Sequence, residues 1–170
     1  MVSTVAESCP RCREPRIGPF CERCGHSYAV APVRAPSSWC ALIAPDRDYF
    51  EAGGQDAKRF IFPAPAPARE VFLTGPSVRI GRRSTSRGTS PEIDLADSPA
   101  DPAVSREHAR LLAQPDGTWV VLDEGSTNGT YLNYSYHPIS IHRPVPLTDG
   151  DRIHIGLWTT ITILASLPRE

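Results

Sequence analysis

Three short polar segments between residues 79 and 133 carry the side chains best suited to chemistry in this chain. They are RIGRR at residues 79–83, SREHA at 105–109 and DEGSTNGT at 123–130. Each adjoins a hydrophobic run, as a loop at the end of a strand does, and binding residues often lie on such loops. Guanidinium, hydroxyl and carboxamide groups together donate several hydrogen bonds to an anion. We therefore expect an anion site, with a tetrahedral phosphate on a peptide as its ligand.

The first two segments supply the cationic part of this expected site. Gly81 is expected to permit an unusual backbone angle at the end of a strand, so that Arg82 projects from the tip. An arginine can hold phosphate through two parallel N–H donors, which a lysine cannot do. Ser105 offers a hydroxyl and a backbone N–H, and Arg106 adds a second cation. Two arginines suit a phosphoamino acid, which carries a charge of about −1.5 to −2.

The third segment supplies neutral polar groups. Thr127 and Asn128 lie in a turn-forming run, where they can reach both phosphate oxygens and a peptide backbone. A run of this composition is by itself an ordinary hairpin loop, and a lone Gly-Arg pair is an ordinary turn. The joint occurrence of all three segments in this order is what favours a binding site.

The elements that hold these loops are predicted to be short strands. From residue 39 onward, apolar runs alternate with turn residues and show no helical period. This pattern predicts an all-β, antiparallel β-sandwich. The predicted strands cover residues 39–44, 59–62, 70–74, 77–81, 92–95, 108–113, 118–122, 130–132, 152–155 and 159–164.

Taken together, the motifs resemble those of forkhead-associated (FHA) domains over roughly residues 39–165. The resemblance implies a sandwich of about eleven strands whose apical loops bind phosphothreonine peptides. The motifs are Gly81-Arg82, Ser105-Arg106-x-His108, Ser126-Thr127-Asn128-Gly129-Thr130 with Asn133, and Leu147-x-Asp149-Gly150-Asp151-x-Ile153-x-x-Gly156.

The same resemblance implies a role for each site residue. Arg82 and Ser105 would contact the phosphate with help from Thr127, Arg106 would assist with phosphate or peptide, and Asn128 would hold the peptide main chain. The loop-supporting residues would be His108, which braces the loop from inside, and Gly81, Gly129 and Asn133, which shape the backbone. The chain departs from the family pattern in the long interval between residues 82 and 105 and in the lengthened path after residue 133, both beside the expected groove.

Four cysteines near the N-terminus form two C-x-x-C pairs with a short spacer: Cys9, Cys12, Cys21 and Cys24. Two such pairs predict a structural four-thiolate Zn²⁺ site with one ion, and the segment resembles a zinc ribbon. Disulfides, redox cysteines and an iron centre are the alternatives, and a closed four-thiolate site predicts no metal catalysis. The expected domains are a zinc ribbon at 1–28, a Pro/Ala/Ser linker at 29–38 and the β-sandwich at 39–167.

Charge and composition narrow the functional classes. The 18 basic and 19 acidic residues give a net charge of −1, which provides no global attraction for nucleic acid or an anionic membrane. We found neither a secretory signal nor an apolar run of membrane-spanning length, which predicts a cytoplasmic protein. An enzyme is disfavoured, because the G-S-T-N-G run has Thr at its centre and no acid is placed to orient His108.

The sequence therefore predicts a non-enzymatic, bacterial phosphothreonine-binding adaptor in Ser/Thr kinase signalling, with the ribbon used for assembly or docking. Its partner would be a phosphorylated kinase or kinase substrate. The alternative is a zinc-ribbon nucleic-acid or protein-docking module whose sandwich no longer binds phosphopeptides. A further hypothesis is that phosphorylated Thr4 folds back onto the groove and inhibits it.

Overall fold

The computed structural model describes residues 8, 9, 12–15, 23, 38–53 and 57–166. The chain divides into two compact units, Met1–Arg34 and Ala35–Glu170. Thr4, Cys21 and Cys24 lie outside the described residues, and the proposed linker lies outside them except for Ser38.

The second unit is built from strands. The described residues contain ten strands and two short helical segments. The strands are β1 (Ser38–Pro45), β2 (Arg69–Phe72), β3 (Ser77–Gly81), β4 (Ile93–Asp94), β5 (Ala109–Ala113), β6 (Trp119–Asp123), β7 (Thr130–Leu132), β8 (Val145–Leu147), β9 (Arg152–Ile155) and β10 (Thr159–Ser166). The helical segments are α1 (Arg47–Ala52) and a 3₁₀ turn at Thr85–Arg87.

These strands form two five-stranded sheets, ordered β2-β1-β10-β9-β7 and β4-β3-β5-β6-β8. The pairs are antiparallel except for β3 and β4, which run parallel. The predicted all-β sandwich is therefore confirmed, with one parallel pair in an otherwise antiparallel arrangement.

Alternation of side chains along the long strands explains the core. In β1, Trp39, Ala41 and Ile43 are buried, and Ala41 and Ile43 pair with Ile163 and Ile161 of β10. Because successive side chains of a strand point to opposite faces, this period of two buries one face of each sheet. The remaining apolar core residues come from both sheets and include Val78, Ile80, Ile93, Leu111, Val121, Leu147, Ile153 and Ile155.

Some of the predicted elements were wrong. The strand predicted at residues 59–62 is a turn followed by irregular backbone. Phe62 instead packs its ring against Phe50, with centroids 5.5 Å apart, while the Arg47 guanidinium lies over Phe62. Helix α1 was not predicted, because its six residues are too short to show a helical period. Strand β8 was also missed, because Pro146 at its centre argues against a strand except at a sheet edge, which is where β8 lies.

In the first unit, the described residues form a tight turn around Cys9. Arg13 N–H donates to the Cys9 carbonyl (2.8 Å), and Cys9 N–H donates to the Glu14 carbonyl (2.7 Å). Ser8 and Pro15 form a β-bridge, and Arg13 has a positive φ of 62°. No group of three or more metal-ligating side chains gathers among the described residues, which contain two of the four ribbon cysteines.

No helix within the described ranges is both long and apolar enough to cross a membrane.

Candidate functional site

The sheet β3-β5-β6 brings the three predicted segments to one end of the sandwich. Antiparallel pairing sets Ile80 opposite Ala109, and Ala109 opposite Asp123. The end of β3, the start of β5 and the end of β6 are therefore neighbours, and so are the loops attached to them. We call this end of the sandwich, where the three loops meet, the apical end.

Gly81 is required for a different reason from the one predicted. Its φ is not in the left-handed region, so no unusual backbone angle explains it. A Cβ placed at Gly81 would instead lie 1.9 Å from the Arg106 carbonyl oxygen and 2.7 Å from the Arg106 carbonyl carbon. The glycine therefore allows the chain before β5 to pass directly over the end of β3, which brings Arg106 beside Arg82.

Arg82 is held at this crossing by both backbone and side chain. Its N–H is shared between the carbonyls of Ser105 and Arg106, at 3.2 Å each. Its Nε donates to the Val104 carbonyl at 2.6 Å, and the residue is half-buried. The two terminal nitrogens, Nη1 and Nη2, have no hydrogen-bond partner among the described residues. They present the pair of parallel donors that suits a phosphate.

Ser105 and Thr127 connect two of the loops. Thr127 N–H donates to Ser105 Oγ at 3.1 Å, and the two hydroxyl oxygens lie 3.5 Å apart. Ser105 Oγ accepts in the shorter contact and donates to Thr127 Oγ1 in the longer one. At 3.5 Å that longer contact is weak, so the Ser105 proton can turn toward an anion. Thr127 is exposed, so its hydroxyl is accessible from the same side.

His108 lies beneath this pair and is fully buried. Its Nδ1 accepts from Ser105 N–H at 3.0 Å, so the ring proton must be on Nε2, which donates to the Gly129 carbonyl at 3.1 Å. Burial lowers the pKa of His108, which favours the neutral ring, and the two hydrogen bonds fix the tautomer. The imidazole thus bridges the loop of Ser105 and the loop of Thr127.

The other predicted residues lie nearby, but they are not equivalent. Asn128 Nδ2 donates to the Ala103 carbonyl at 2.8 Å, whereas its Oδ1 has no partner in the described part of the chain. Arg106 is exposed, and its guanidinium makes no hydrogen bond to a described residue. Gly129 has a φ of 84° and follows Asn128 in the β6–β7 loop.

Asn133 has a supporting position outside this cluster. It has a φ of 50° and ties the start of the β7–β8 connection to β9. Its Nδ2 donates to Asp151 (2.9 Å), and its Oδ1 accepts from Arg152 N–H (2.9 Å).

Asp123 is a buried residue of the apical end that we did not predict. Its carboxylate accepts from Gly125 N–H, Ser126 N–H and the hydroxyls of Ser126 and Thr130, at 2.6 to 2.8 Å. Burial alone would raise the pKa of Asp123, but these hydrogen bonds outweigh it and lower that pKa. An aspartate two residues before a glycine is typical of a side-chain-closed turn, so the D-E-G-S run could have indicated this role.

Asp101 is the second residue that the sequence did not reveal. It is fully buried and accepts from Leu157 N–H and Trp158 N–H, from the Thr159 hydroxyl and from Ala103 N–H, at 2.8 to 3.1 Å. It thereby ties the β4–β5 loop, which carries Ser105 and Arg106, to the β9–β10 turn. Its main partners are more than 50 positions away in sequence, so no local pattern indicates them.

An open depression at the apical end lies between the β3–β4 and β4–β5 loops, and we call it the arginine groove. Arg82 and Arg106 both line it. Arg83 also lines it, but its guanidinium is paired with Asp94 and Asp97. The remaining lining residues are Ser84, Thr85, Ser86, Ala96, Ala100, Asp101, Pro102 and Trp158.

The fold and the site define a two-sheet β-sandwich with a cationic, hydroxyl-rich cluster on its apical loops. Residues 78–156 match the family model of the FHA domain. This part of the chain is an FHA domain.

Two known proteins are similar to this chain over stretches of 84 and 89 residues. The chain is 36% identical over 84 residues to an oxoglutarate dehydrogenase inhibitor of Corynebacterium diphtheriae, covering 49% of this chain and 53% of that protein. It is 44% identical over 89 residues to an ABC transporter ATP-binding/permease protein of Mycobacterium tuberculosis, covering 52% of this chain and 9% of that protein. The chain therefore spans about half or less of these relatives' own length.

Among solved structures, the FHA domain of an Arabidopsis thaliana protein superimposes with a TM-score of 0.53. The match covers 85% of this chain and 98% of that one at 24% identity, and concerns the fold alone.

Proposed function

We propose that this chain is a non-enzymatic adaptor that binds phosphothreonine peptides of a kinase or a kinase substrate. The single observation that carries the proposal is the anchoring of Arg82. Its Nε is committed to the Val104 carbonyl, while Nη1 and Nη2 remain for a ligand beside the linked Ser105 and Thr127 hydroxyls. Because the guanidinium is fixed before binding, little side-chain entropy is lost when a phosphate arrives.

We expect different residues to bind the phosphate and the peptide main chain. Arg82 and Ser105 would hold phosphate oxygens, with Thr127 beside them and Arg106 adding a nearby charge. Asn128 would accept a peptide N–H through Oδ1, while one of its two Nδ2 protons is donated to the Ala103 carbonyl. These groups bind a charged ester but offer no general base, since the neutral His108 is buried and uses both ring nitrogens. This chemistry fits a cytoplasmic protein that binds phosphorylated peptides, rather than an enzyme.

Fluorescence anisotropy with a phosphothreonine peptide pool tests the function. The same peptides without phosphate, or with phosphoserine, serve as ligand controls. Arg82→Ala should weaken binding by about 1.5–3 kcal/mol, or roughly 10- to 150-fold, because it removes charge-assisted hydrogen bonds to the phosphate.

Arg59→Ala is the matched protein control, because Arg59 is exposed, is outside the predicted site and carries the same charge. This variant should bind like the unmodified chain. Equal loss in both variants would show that net charge, rather than the Arg82 geometry, accounts for binding. Failure of the folded protein to bind any phosphothreonine peptide would overturn the proposal.

We further propose that Cys9, Cys12, Cys21 and Cys24 bind one structural Zn²⁺ for assembly or docking. The turn at Cys9 supports this, because the Arg13–Cys9 and Cys9–Glu14 backbone hydrogen bonds close a compact C-x-x-C loop. Metal binding would supply folding energy that so short a segment cannot obtain from a core.

Metal analysis of the purified chain tests this proposal. We expect about one zinc per chain, lost in Cys9→Ser and in Cys21→Ser, because a closed structural site needs all four thiolates. Cys40→Ser is the control, since Cys40 lies in β1 of the sandwich and should leave the zinc content unchanged. Stoichiometric iron, or a folded N-terminal unit without metal, would contradict the prediction.

A further inference from the structure

The β3–β4 loop places a threonine hydroxyl of this chain on the arginine groove. Thr85 begins the 3₁₀ turn Thr85–Arg87, is exposed, and lines the groove together with Arg82 and Arg106. Its hydroxyl makes no hydrogen bond to any described residue. The turn is positioned by the backbone pairing of buried Ser84 with Thr89, at 2.9 and 3.1 Å.

The charges around the groove favour an anion there. Arg82 keeps both terminal nitrogens available, and the Arg106 guanidinium is unpaired within the described ranges. Asp101 is the acidic residue among those lining the groove, and its carboxylate is occupied by the donors of Ala103 and the β9–β10 turn. Arg83 adds no net positive charge, because its guanidinium is paired with two carboxylates, those of Asp94 and Asp97.

The loop that carries Thr85 is also accessible to a modifying enzyme. The hydrogen bonds within residues 84–89 are the Ser84–Thr89 backbone pair, the short-range bonds of the turn, and a 3.2 Å contact between the Ser84 and Ser86 hydroxyls. Little structure therefore has to open for Thr85 to enter a kinase active site. Loops of this kind are where proteins tolerate local opening.

We propose that Thr85 is a phosphorylation site whose phosphate occupies the arginine groove of the same chain and excludes the phosphopeptide. This inference rests on the proposed function. A Ser/Thr protein kinase would transfer the γ-phosphoryl group of ATP to Thr85 Oγ1. The Oγ1–P bond forms as the bond to the ADP leaving group breaks, and the hydroxyl proton is released to solvent. The product is a tethered phosphothreonine, which has the chemistry of the proposed ligand.

Two measurements on the full chain test this inference. Phosphothreonine is installed during translation at position 85 or, as the matched control, at position 90. Residue 90 is exposed in the same loop but does not line the groove. Anisotropy then measures the affinity for a phosphothreonine peptide, and ³¹P NMR measures the pKa of the installed phosphate, with and without Arg82→Ala.

We expect phosphothreonine at position 85 to weaken peptide binding at least tenfold, because a tethered ligand acts at an effective concentration on the order of 1 mM. Phosphatase treatment should restore binding, and position 90 should have little effect. The phosphate pKa should be lower at position 85 than at position 90, and Arg82→Ala should remove the difference.

Unchanged peptide affinity would overturn the inference, as would weaker binding without a lowered phosphate pKa, which indicates plain repulsion. Dimers formed only by the protein phosphorylated at position 85 would also overturn it, because the phosphate would then bind a second copy. The ³¹P titration needs no peptide, so it decides whether the groove is occupied even if the unmodified protein binds no phosphopeptide. Failure of the unmodified protein to bind a phosphopeptide would count against the proposed function alone.

Discussion

At the scale of single residues, the site depends on one close backbone approach. Gly81 lies directly under the Arg106 carbonyl, where a Cβ would be 1.9 Å from the oxygen. The obstacle is backbone, so it cannot rotate away as a flexible side chain would. Arg82 and Arg106, the two arginines expected near the phosphate, can therefore lie close together because residue 81 has no side chain.

Gly81→Ala should lower the free energy of unfolding by roughly 1–3 kcal/mol or more, because the β4–β5 loop must move to make room for the methyl group. It should also weaken phosphopeptide binding, since that movement shifts Ser105 and Arg106. Thermal unfolding and anisotropy measure the two effects.

Gly75→Ala is the control for this variant. Gly75 has a φ of 71° and open space around its Cβ position, and it lies in the β2–β3 turn at the end opposite the site. The Gly75→Ala substitution should lower the free energy of unfolding by about 1–2 kcal/mol, because alanine is strained in the left-handed region. Phosphopeptide binding should be unchanged. A normal affinity in Gly81→Ala would show that the close approach does not position the site.

At the scale of elements, one buried carboxylate holds two loops together. Asp101 in the β4–β5 loop accepts from the β9–β10 turn at Leu157, Trp158 and Thr159. Gly156 is compatible with this arrangement because a Cβ there would lie 2.5 Å from the carboxylate. The loop that carries Ser105 thus depends on the opposite sheet for its position.

Asp101→Asn should destabilise the domain by about 1–3 kcal/mol, because an amide presents donors where the native groups require an acceptor. Loosening the β4–β5 loop should also reduce phosphopeptide affinity. Asp116→Asn is the control, since Asp116 closes the β5–β6 turn at the opposite end through Thr118. If both variants bind peptide equally well, the proposed coupling between Asp101 and the site is wrong.

At the scale of the whole sandwich, two buried histidines should make stability depend on pH. Burial lowers the pKa of His108 and of His154 below 6.5. His154 lies between the rings of Tyr49 and Tyr134, and its Nε2 has no hydrogen-bond partner among the residues that the structure describes. Below about pH 6.5 the unfolded chain binds protons that the folded chain does not, so the stability present above that pH is lost as the pH falls.

The melting temperature should therefore decrease as the pH is lowered from 7.5 to 5. This interval lies above the range in which ordinary carboxylates titrate. His154→Phe keeps an aromatic ring between the two tyrosines but removes one titrating group, so its melting temperature should depend less on pH. A melting temperature that is constant or rises toward pH 5 would contradict this prediction.

How far the sequence predicted the fold can be judged from particular elements. Strands β3, β7 and β9 were predicted with their observed bounds, because alternation and turn residues mark them locally. The strand predicted at 59–62 was wrong because Phe62 packs against Phe50 of α1, while Phe60 and Ile61 are exposed rather than part of a sheet. The predicted roles of Arg82, Ser105, Arg106, Thr127 and Asn128 remain predictions, although the structure brings these residues to one end.

The sequence by itself determined the all-β class and the order of the motifs, because alternation, turns and glycines are local properties of the chain. The tertiary structure decided what holds the site together, because those contacts join residues that are far apart in the chain. The steric role of Gly81 depends on a carbonyl 25 residues away, and Asp101 depends on the β9–β10 turn. Such contacts exist only after the two sheets have packed, so no local pattern could have indicated them.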